Sequence, residues 1–221
     1  MNGVFVTGTD TSVGKTFISS GLANALRASG VPVVARKPVE QRCRRSGGAL
    51  FPTDGLALAQ AAGNSESIDV VVPYRLADAI APGHTAHAEH GHVTLDALVE
   101  AVHAGEYPDA FRVVEGAGGF LSPLAIDGAN ADLAQALGFP VLVVTADRAG
   151  CVNHSRLTVE AIERRGLRAA AVVVNVPDPD APAAGAHRER LAAVLDVPVV
   201  AHSHGHADWD ASMELVRILN D

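Results

Sequence analysis

Gly8-Thr9-Asp10-Thr11-Ser12-Val13-Gly14-Lys15-Thr16 follows a short apolar run at residues 3–7 and opens at once into a helical pattern. In that pattern Phe17, Ile18, Leu22, Ala25 and Leu26 recur on one face, and Ser29-Gly30 ends it. Strand, glycine-bounded loop and helix in this order make a phosphate loop. Its glycines let successive backbone N–H groups curl around a phosphate, and the helix N-terminus adds its dipole. Lys15 can reach terminal phosphates, and the Thr16 hydroxyl suits Mg²⁺. Five residues separate Gly8 from Gly14, where the usual Walker A spacing has four. The flanking strand, the helix and the Gly-Lys-Thr ending all hold, so the stretch reads as a nucleotide site.

The same alternation continues outward from this loop. Residues 31–35, 111–114, 141–145, 169–174 and 197–201 are further apolar, β-branched runs, and Leu95, Leu98, Val99 and Val102 make another helix face. Near-continuous apolarity in the strands implies a parallel sheet covered on both faces. The expected fold is α/β, a doubly wound, mostly parallel sheet with helices on both faces, of the P-loop NTPase type, in a single domain spanning 1–221. Ligands of such a fold sit outside the carboxyl ends of the strands. Residues 40–53 and 177–182 break the rhythm and read as functional loops or lids.

Composition narrows the class. Apolar residues at 48% and charged residues at 19% are globular values, which exclude collagen-like, disordered and disulfide-scaffold chains. A net charge of −8, with only the short Arg42, Arg44, Arg45 cluster of cations, argues against nucleic acid as a partner. No apolar run approaches the ~20 residues that cross a bilayer, so no membrane partner is expected. Cys43 and Cys151 are too far apart for a metal-type or disulfide pattern, and a reducing cytoplasm is the expected location.

A phosphate loop needs a carboxylate to complete a magnesium site, normally at the end of a buried strand. Glu115 after Phe111-Arg112-Val113-Val114 supplies one. The small residues Gly116, Ala117 and Gly118 behind it let the backbone approach phosphate or substrate closely. Asp54 heads another helical run and on spacing alone reads as an N-cap.

The stretch 8–16, Lys37-Pro38-Val39, residues 114–119, Gly150-Cys151-Val152-Asn153-His154 and Asn175 together resemble the dethiobiotin synthetase family. The likeness runs from the N-terminus to about residue 176. It implies closure of a cyclic urea on 7,8-diaminopelargonate with CO₂ and MgATP, through a carbamate and a carbamic-phosphoric anhydride, releasing ADP and phosphate. It also implies residue roles. Lys15 and Lys37 neutralise charge at the reacting centre; Thr16, Asp54 and Glu115 hold Mg²⁺; Ser12, Val13, Gly14, Lys15, Thr16 and Phe17 wrap the phosphates. Thr11, Lys37 and Gly118 meet the diamine. Gly150, Cys151, Val152 and Asn153 form a carboxylate socket shared across a homodimer interface, although Asn153 alone would pass for a helix cap. Asn175, with Val176 beside it, reads the adenine edge, and His204, Gly205 and His206 finish the base pocket.

Three features depart from that pattern. Relatives continue Lys-Pro-Val with a small hydroxyl residue and glycine, where this chain has Glu40, Gln41 and Arg42, so Gln41 is the expected substrate contact at that point. Val176-Pro177 replaces a polar pair, and residues 201–206 lack a Gly-x-x-Pro turn. His84, His87, His90 and His92, and His202, His204 and His206, invite a zinc reading, but no second shell is identifiable for either group. Trp209 and Phe120 read as packing residues. The competing functions are a partition or positioning ATPase, an amide synthetase of the cobyrinate type, and a degenerate relative with another amine substrate. The first would carry a lysine where Asp10 stands, and the second needs a glutaminase.

Overall fold

The computed structural model describes residues 3–77, 93–176, 185–203 and 209–220. In chain order, β1 (Gly3–Gly8) leads into α1 (Lys15–Ala28), β2 (Val33–Arg36) and the short β3 (Val39–Glu40). A hairpin of β4 (Arg44–Ser46) and β5 (Ala49–Phe51) precedes α2 (Thr53–Ala61), α3 (Ile68–Val71), β6 (Tyr74–Arg75) and α4 (Leu95–His103). Next come β7 (Phe111–Gly119), α5 (Asn130–Leu137), β8 (Val141–Ala146) and α6 (Cys151–Glu163). The last elements are β9 (Ala169–Val176), α7 (Ala186–Ala192), β10 (Val199–Ser203) and α8 (Trp209–Asn220).

Six strands pair in the order β10-β9-β8-β1-β7-β2, every neighbour parallel. Alternation along the strands splits the core into two layers. Val4 and Val6 pack with Ile18 and Leu22 of α1, Leu58 of α2 and Leu215 of α8. Phe5, between them, turns to the other face and joins Leu98 of α4, Leu133 of α5 and Ile162 of α6. Each such side chain, fully buried, contributes about 1.5–3 kcal/mol. Helices therefore cover both faces, as the apolar strands require.

The chain leaves β1 for β2 past the place that β7 later fills, and then crosses β1 to reach β8. The winding direction reverses there, and the carboxyl ends of β1, β2 and β7 meet at one crevice. All six expected strands belong to this sheet. Strand β7 differs in extent, since it continues to Gly119 and does not stop before Glu115. Its ladder with β1 runs from Val6↔Glu115 to Gly8↔Gly119, so residues 116–118 oppose Thr7 alone in a bulge. The expected loop at 40–53 is also different. It holds β3's end and the β4–β5 hairpin, turned at Gly47-Gly48 with Ser46 opposite Ala49. The other irregular stretch, 177–182, lies outside the described residues.

Candidate active site

The phosphate loop closes on backbone geometry. Gly14 has φ +97°, and a Cβ there would lie 2.1 Å from the Asn175 side-chain nitrogen. Ser12 is also left-handed at φ +57°. Val13 is buried beneath the loop, and its carbonyl accepts a hydrogen bond from Asn175 Nδ2 at 3.0 Å. Asn175 Oδ1, also buried, has no partner among the described residues.

Lys15 opens α1 and donates to the Asp10 carbonyl at 3.0 Å. Burial pulls its ammonium down to about 8, with Glu115 opposing and Lys37 adding to the shift. Asp10 itself receives the Thr11 N–H at 2.7 Å and pairs with Arg148 at 2.9 Å, tying the loop to the segment after β8.

Glu115 is fully buried at the start of the β7 bulge. Its Oε1 accepts from Thr16 Oγ1 at 2.8 Å and from Lys37 Nζ in a very short contact. Lys37 Nζ also donates to Asp54 Oδ2 at 3.0 Å. One ammonium thus bridges the two carboxylates and the hydroxyl-bearing loop. Burial works against the Lys37 charge, but Glu115 and then Asp54 overcome it and hold the pKa above the ordinary lysine range. Lys37 is therefore a buried group whose charged form its two carboxylates favour, and its backbone N–H is held by the Val71 carbonyl at 2.8 Å.

Asp54 is the second residue of α2, whose N-cap is Pro52, so the cap reading of Asp54 is corrected. The helix is capped instead by a residue that the sequence had not singled out. Glu40, buried at the end of β3, accepts the Asp54 N–H at 3.1 Å and the Gly55 N–H at 2.8 Å with its two carboxylate oxygens. Burial pushes its pKa up, against the two helix N–H groups. A second overlooked residue, Asn130 at the start of α5, clamps the glycine run. It accepts from Ala117 N–H at 3.0 Å and donates to the Ala117, Gly119 and Ser122 carbonyls at 2.8, 3.1 and 3.0 Å. A Cβ on Gly116 would approach Asn130 Oδ1 to 2.4 Å, which accounts for glycine there.

One cleft of about 320 Å³ is lined by Thr11, Ser12, Gly14, Lys15, Thr16, Lys37, Gln41, Arg42, Asp54, Glu115, Ala117 and Gly118. Sequence candidates from four separate stretches therefore converge. Gly150, Val152 and Asn153 do not join them. They line a separate groove with Leu157 and Val194. Gly150, at φ +89°, is the N-cap of α6, and Asn153 lies inside the helix, which removes the cap reading of Asn153. Cys151 is buried there, and burial pushes its thiol pKa up.

Phe17 and the buried His202 meet edge to face with ring centroids 5.1 Å apart, beside a groove of about 390 Å³ that also reaches Trp209. Trp209 is 47% exposed and so is no core residue, whereas Phe120 is buried. Val176, also buried, ends β9 after Asn175. His204, Gly205 and His206, and the histidines at 84, 87, 90 and 92, lie outside the described residues. Among the described residues no three His, Cys, Asp or Glu side chains gather as a metal cluster, and no helix is long and apolar enough to cross a membrane.

Comparison with known proteins gives the lineage. A family model described as an AAA domain matches residues 2–204. An ATP-dependent dethiobiotin synthetase of Anaeromyxobacter dehalogenans is 45% identical over 91% of this chain and 93% of its own. One from Cellvibrio japonicus is 38% identical over 88% and 85%. Among solved structures, the signal recognition particle receptor FtsY from Elizabethkingia anophelis superposes at a TM-score of 0.56 with 15% identity, covering 99% of this chain and 65% of the receptor. That last likeness is one of fold alone.

Proposed function

The chain belongs to the ATP-dependent dethiobiotin synthetase family, and from that premise we propose that it closes a cyclic urea on a vicinal diamine, 7,8-diaminopelargonate, with CO₂ and MgATP. The observation that carries the reading is the Lys37 ammonium held between Glu115 and Asp54 at the mouth of the phosphate loop. The reaction gathers anionic oxygens at one point, and this arrangement keeps a full positive charge there in a buried setting.

The first amine attacks CO₂, loses a proton and becomes a carbamate. A carbamate oxygen displaces ADP from the γ-phosphorus, and the second amine then attacks the carbonyl carbon and expels phosphate. Little covalent work falls to the protein, so placement and charge dominate. The curled loop at 12–17 takes the phosphates, Lys15 faces their terminal oxygens, and Lys37 balances carbamate and γ-phosphate. Thr11 and the backbone at Gly118 and Ala117 wall the diamine. The Oδ1 of Asn175, without a partner among the described residues, can accept from the adenine amino group while its Nδ2 stays on Val13.

Magnesium fits the donor set. Thr16, Asp54 and Glu115 present hard oxygen donors, and Glu115 Oε2 is buried without a partner among the described residues. When bound, the ion would neutralise phosphate charge and align the γ-phosphoryl group. The socket at Gly150, Cys151, Val152 and Asn153 opens on a different groove from the phosphate cleft, which supports a homodimer in which one chain's socket serves the other's cleft. We place this activity in the cytoplasm, in one domain over residues 1–221. The deciding assay is incorporation of carbon-14 bicarbonate into acid-stable product with the diamine, with and without MgATP. ATP-dependent labelling is expected, and its absence from folded enzyme would overturn the reading.

A further inference from the structure

Three cationic side chains line the cleft, and two of them are committed. Lys37 is engaged by both carboxylates, and Lys15 sits at the head of the phosphate loop on the Asp10 carbonyl. The third is Arg42. Arg42 is solvent-exposed and has no hydrogen bond or ion pair among the described residues, and it is one of the residues that line the same cavity as Thr11 and Gly118. The backbone explains how it comes to be there. Glu40 is anchored to the first turn of α2, and Cys43 is anchored by its N–H on the Leu76 carbonyl at 2.9 Å and its thiol on the Glu40 carbonyl at 3.4 Å. Between these fixed points Arg42 adopts φ +59°, a left-handed conformation that an L-residue takes at a cost. An exposed guanidinium without a partner is ordinary at a surface, but one on a left-handed residue that also lines the phosphate-loop cavity can be offered to an anion bound there.

Building on the function proposed above, we propose that Arg42 is a further binding residue of this chain, whose guanidinium holds the carboxylate that forms when CO₂ adds to the first amine. A carbamate is planar, carries one negative charge and offers two oxygens, which a guanidinium fork matches with two parallel hydrogen bonds. When the nitrogen lone pair of the first amine attacks the carbon of CO₂, an N–C bond forms, a C=O π pair moves onto oxygen so that two oxygens share the charge, and the amine proton passes to solvent. Arg42 meets that charge as it develops, from the wall shared with Gln41. Lys37 still balances carbamate and γ-phosphate and Lys15 stays with the γ-phosphoryl oxygens, so that Arg42 is a further cation on the carbamate alone. The division of labour predicts that Arg42 acts on CO₂ capture and not on nucleotide affinity.

The test compares wild type with Arg42→Gly, Arg42→Lys and Arg42→Gln in the carbon-14 bicarbonate assay, varying bicarbonate and ATP separately. Loss of a charged, two-pronged contact should lower kcat/KM for bicarbonate about 10- to 100-fold in Arg42→Gly. The KM for ATP should stay within about twofold. Glycine accepts the positive φ without strain, so thermal stability should not fall. Arg42→Lys should recover only part of the loss, and guanidinium ion at millimolar concentration should rescue Arg42→Gly. A purely structural role would give no such rescue. Arg42→Gln keeps the length without the charge and should resemble the glycine variant. If wild type turns over and Arg42→Gly matches it, or if the loss falls equally on ATP, the proposal is wrong while the family reaction stands. If wild type itself makes no ATP-dependent product, the proposed function fails and the role of Arg42 falls with it.

Discussion

Replacing Lys37 with methionine should strand the Glu115 carboxylate, and the structure sets the size of the effect. Glu115 has 0% exposed side chain, while Asp54 is 49% exposed and can turn to water. Solvent therefore screens the Asp54 share, and the cost rests on Glu115. Removing one partner of a buried ion pair costs about 3–5 kcal/mol. The stranded carboxylate has one escape, which is to take a proton. For an ordinary glutamate, with a pKa of about 4.3, that costs about 3.7 kcal/mol at pH 7, at about 1.36 kcal/mol per pH unit. The two figures agree, so the variant should lose about 3–4 kcal/mol at pH 7 in chelator. For a chain of this length the melting temperature should fall by about 7–15 °C. The deficit should shrink by about 1.4 kcal/mol for each pH unit below 7, because protonation of the variant becomes cheaper. Magnesium at millimolar concentration should restore more stability to the variant than to wild type, since Thr16, Asp54 and Glu115 would regain a cation. Urea unfolding at pH 5.5, 6, 7 and 8, in chelator and in magnesium, measures all of this. A deficit below about 1 kcal/mol at pH 7, or one that does not change with pH, would refute the bridging role.

Lys15 gives a pH prediction. Its free-enzyme ammonium titrates near 8 and phosphate binding requires the charged form, so ATP affinity should be level below pH 7. Above pH 8 the dissociation constant should rise about tenfold per unit; calorimetry in buffers of different ionisation heat should show proton uptake there, and a flat profile from pH 7 to 9.5 would exclude it. Glu40→Gln keeps one carboxyl oxygen and leaves one α2 N–H without its acceptor, which should cost about 1–3 kcal/mol in urea unfolding. Because that helix carries Asp54, kcat should fall as well, and a stability loss with kcat untouched would make Glu40 a cap alone. In the proposed dimer, mixing a Lys15→Ala chain with an Asn153→Trp chain should regenerate one intact composite site per hybrid. If folded, dimeric hybrids recover no activity, the shared site is wrong.

The phosphate loop was legible because its chemistry is written in backbone terms. Gly8, Gly14 and Lys15 must stand at near-fixed spacing, and the strand before them and the helix after them are both periodic. Glu115 was legible for a related reason, as a charge ending an apolar run. Its surroundings were not. Residues 116–119 carry no pattern that distinguishes a turn from a bulged strand, and the pairing that decides it lies more than a hundred residues away on β1. The hairpin at 44–51 hid for a different cause. Ala49, Leu50 and Phe51 are all apolar although β5 buries only Leu50, so the alternation of burial is not written in the residue types, and the Gly47-Gly48 pair was its single readable signal. Glu40 and Asn130 escaped because their partners are backbone groups of distant segments, a kind of partner with no side-chain signature.

These two overlooked residues also show how the site is kept in shape. The polar side chains of the cleft sit on four different supports: Lys15 and Thr16 on α1, Lys37 after β2, Asp54 on α2 and Glu115 on β7. Only Glu115 is held by the central ladder itself. Asp54 depends on Glu40 for the position of its helix, and the backbone that lines the cleft at Ala117 and Gly118 depends on Asn130. An ordered polar residue stands behind each movable wall, and each one satisfies backbone groups that burial would otherwise leave unpaired. The cleft can therefore hold mutually repelling anions without spreading, since displacing a wall would break two or more buried hydrogen bonds. Arg42 lacks such a support, and its guanidinium meets no partner among the described residues. A group that is to close on a carbamate only after CO₂ has been added must be left free until that anion exists.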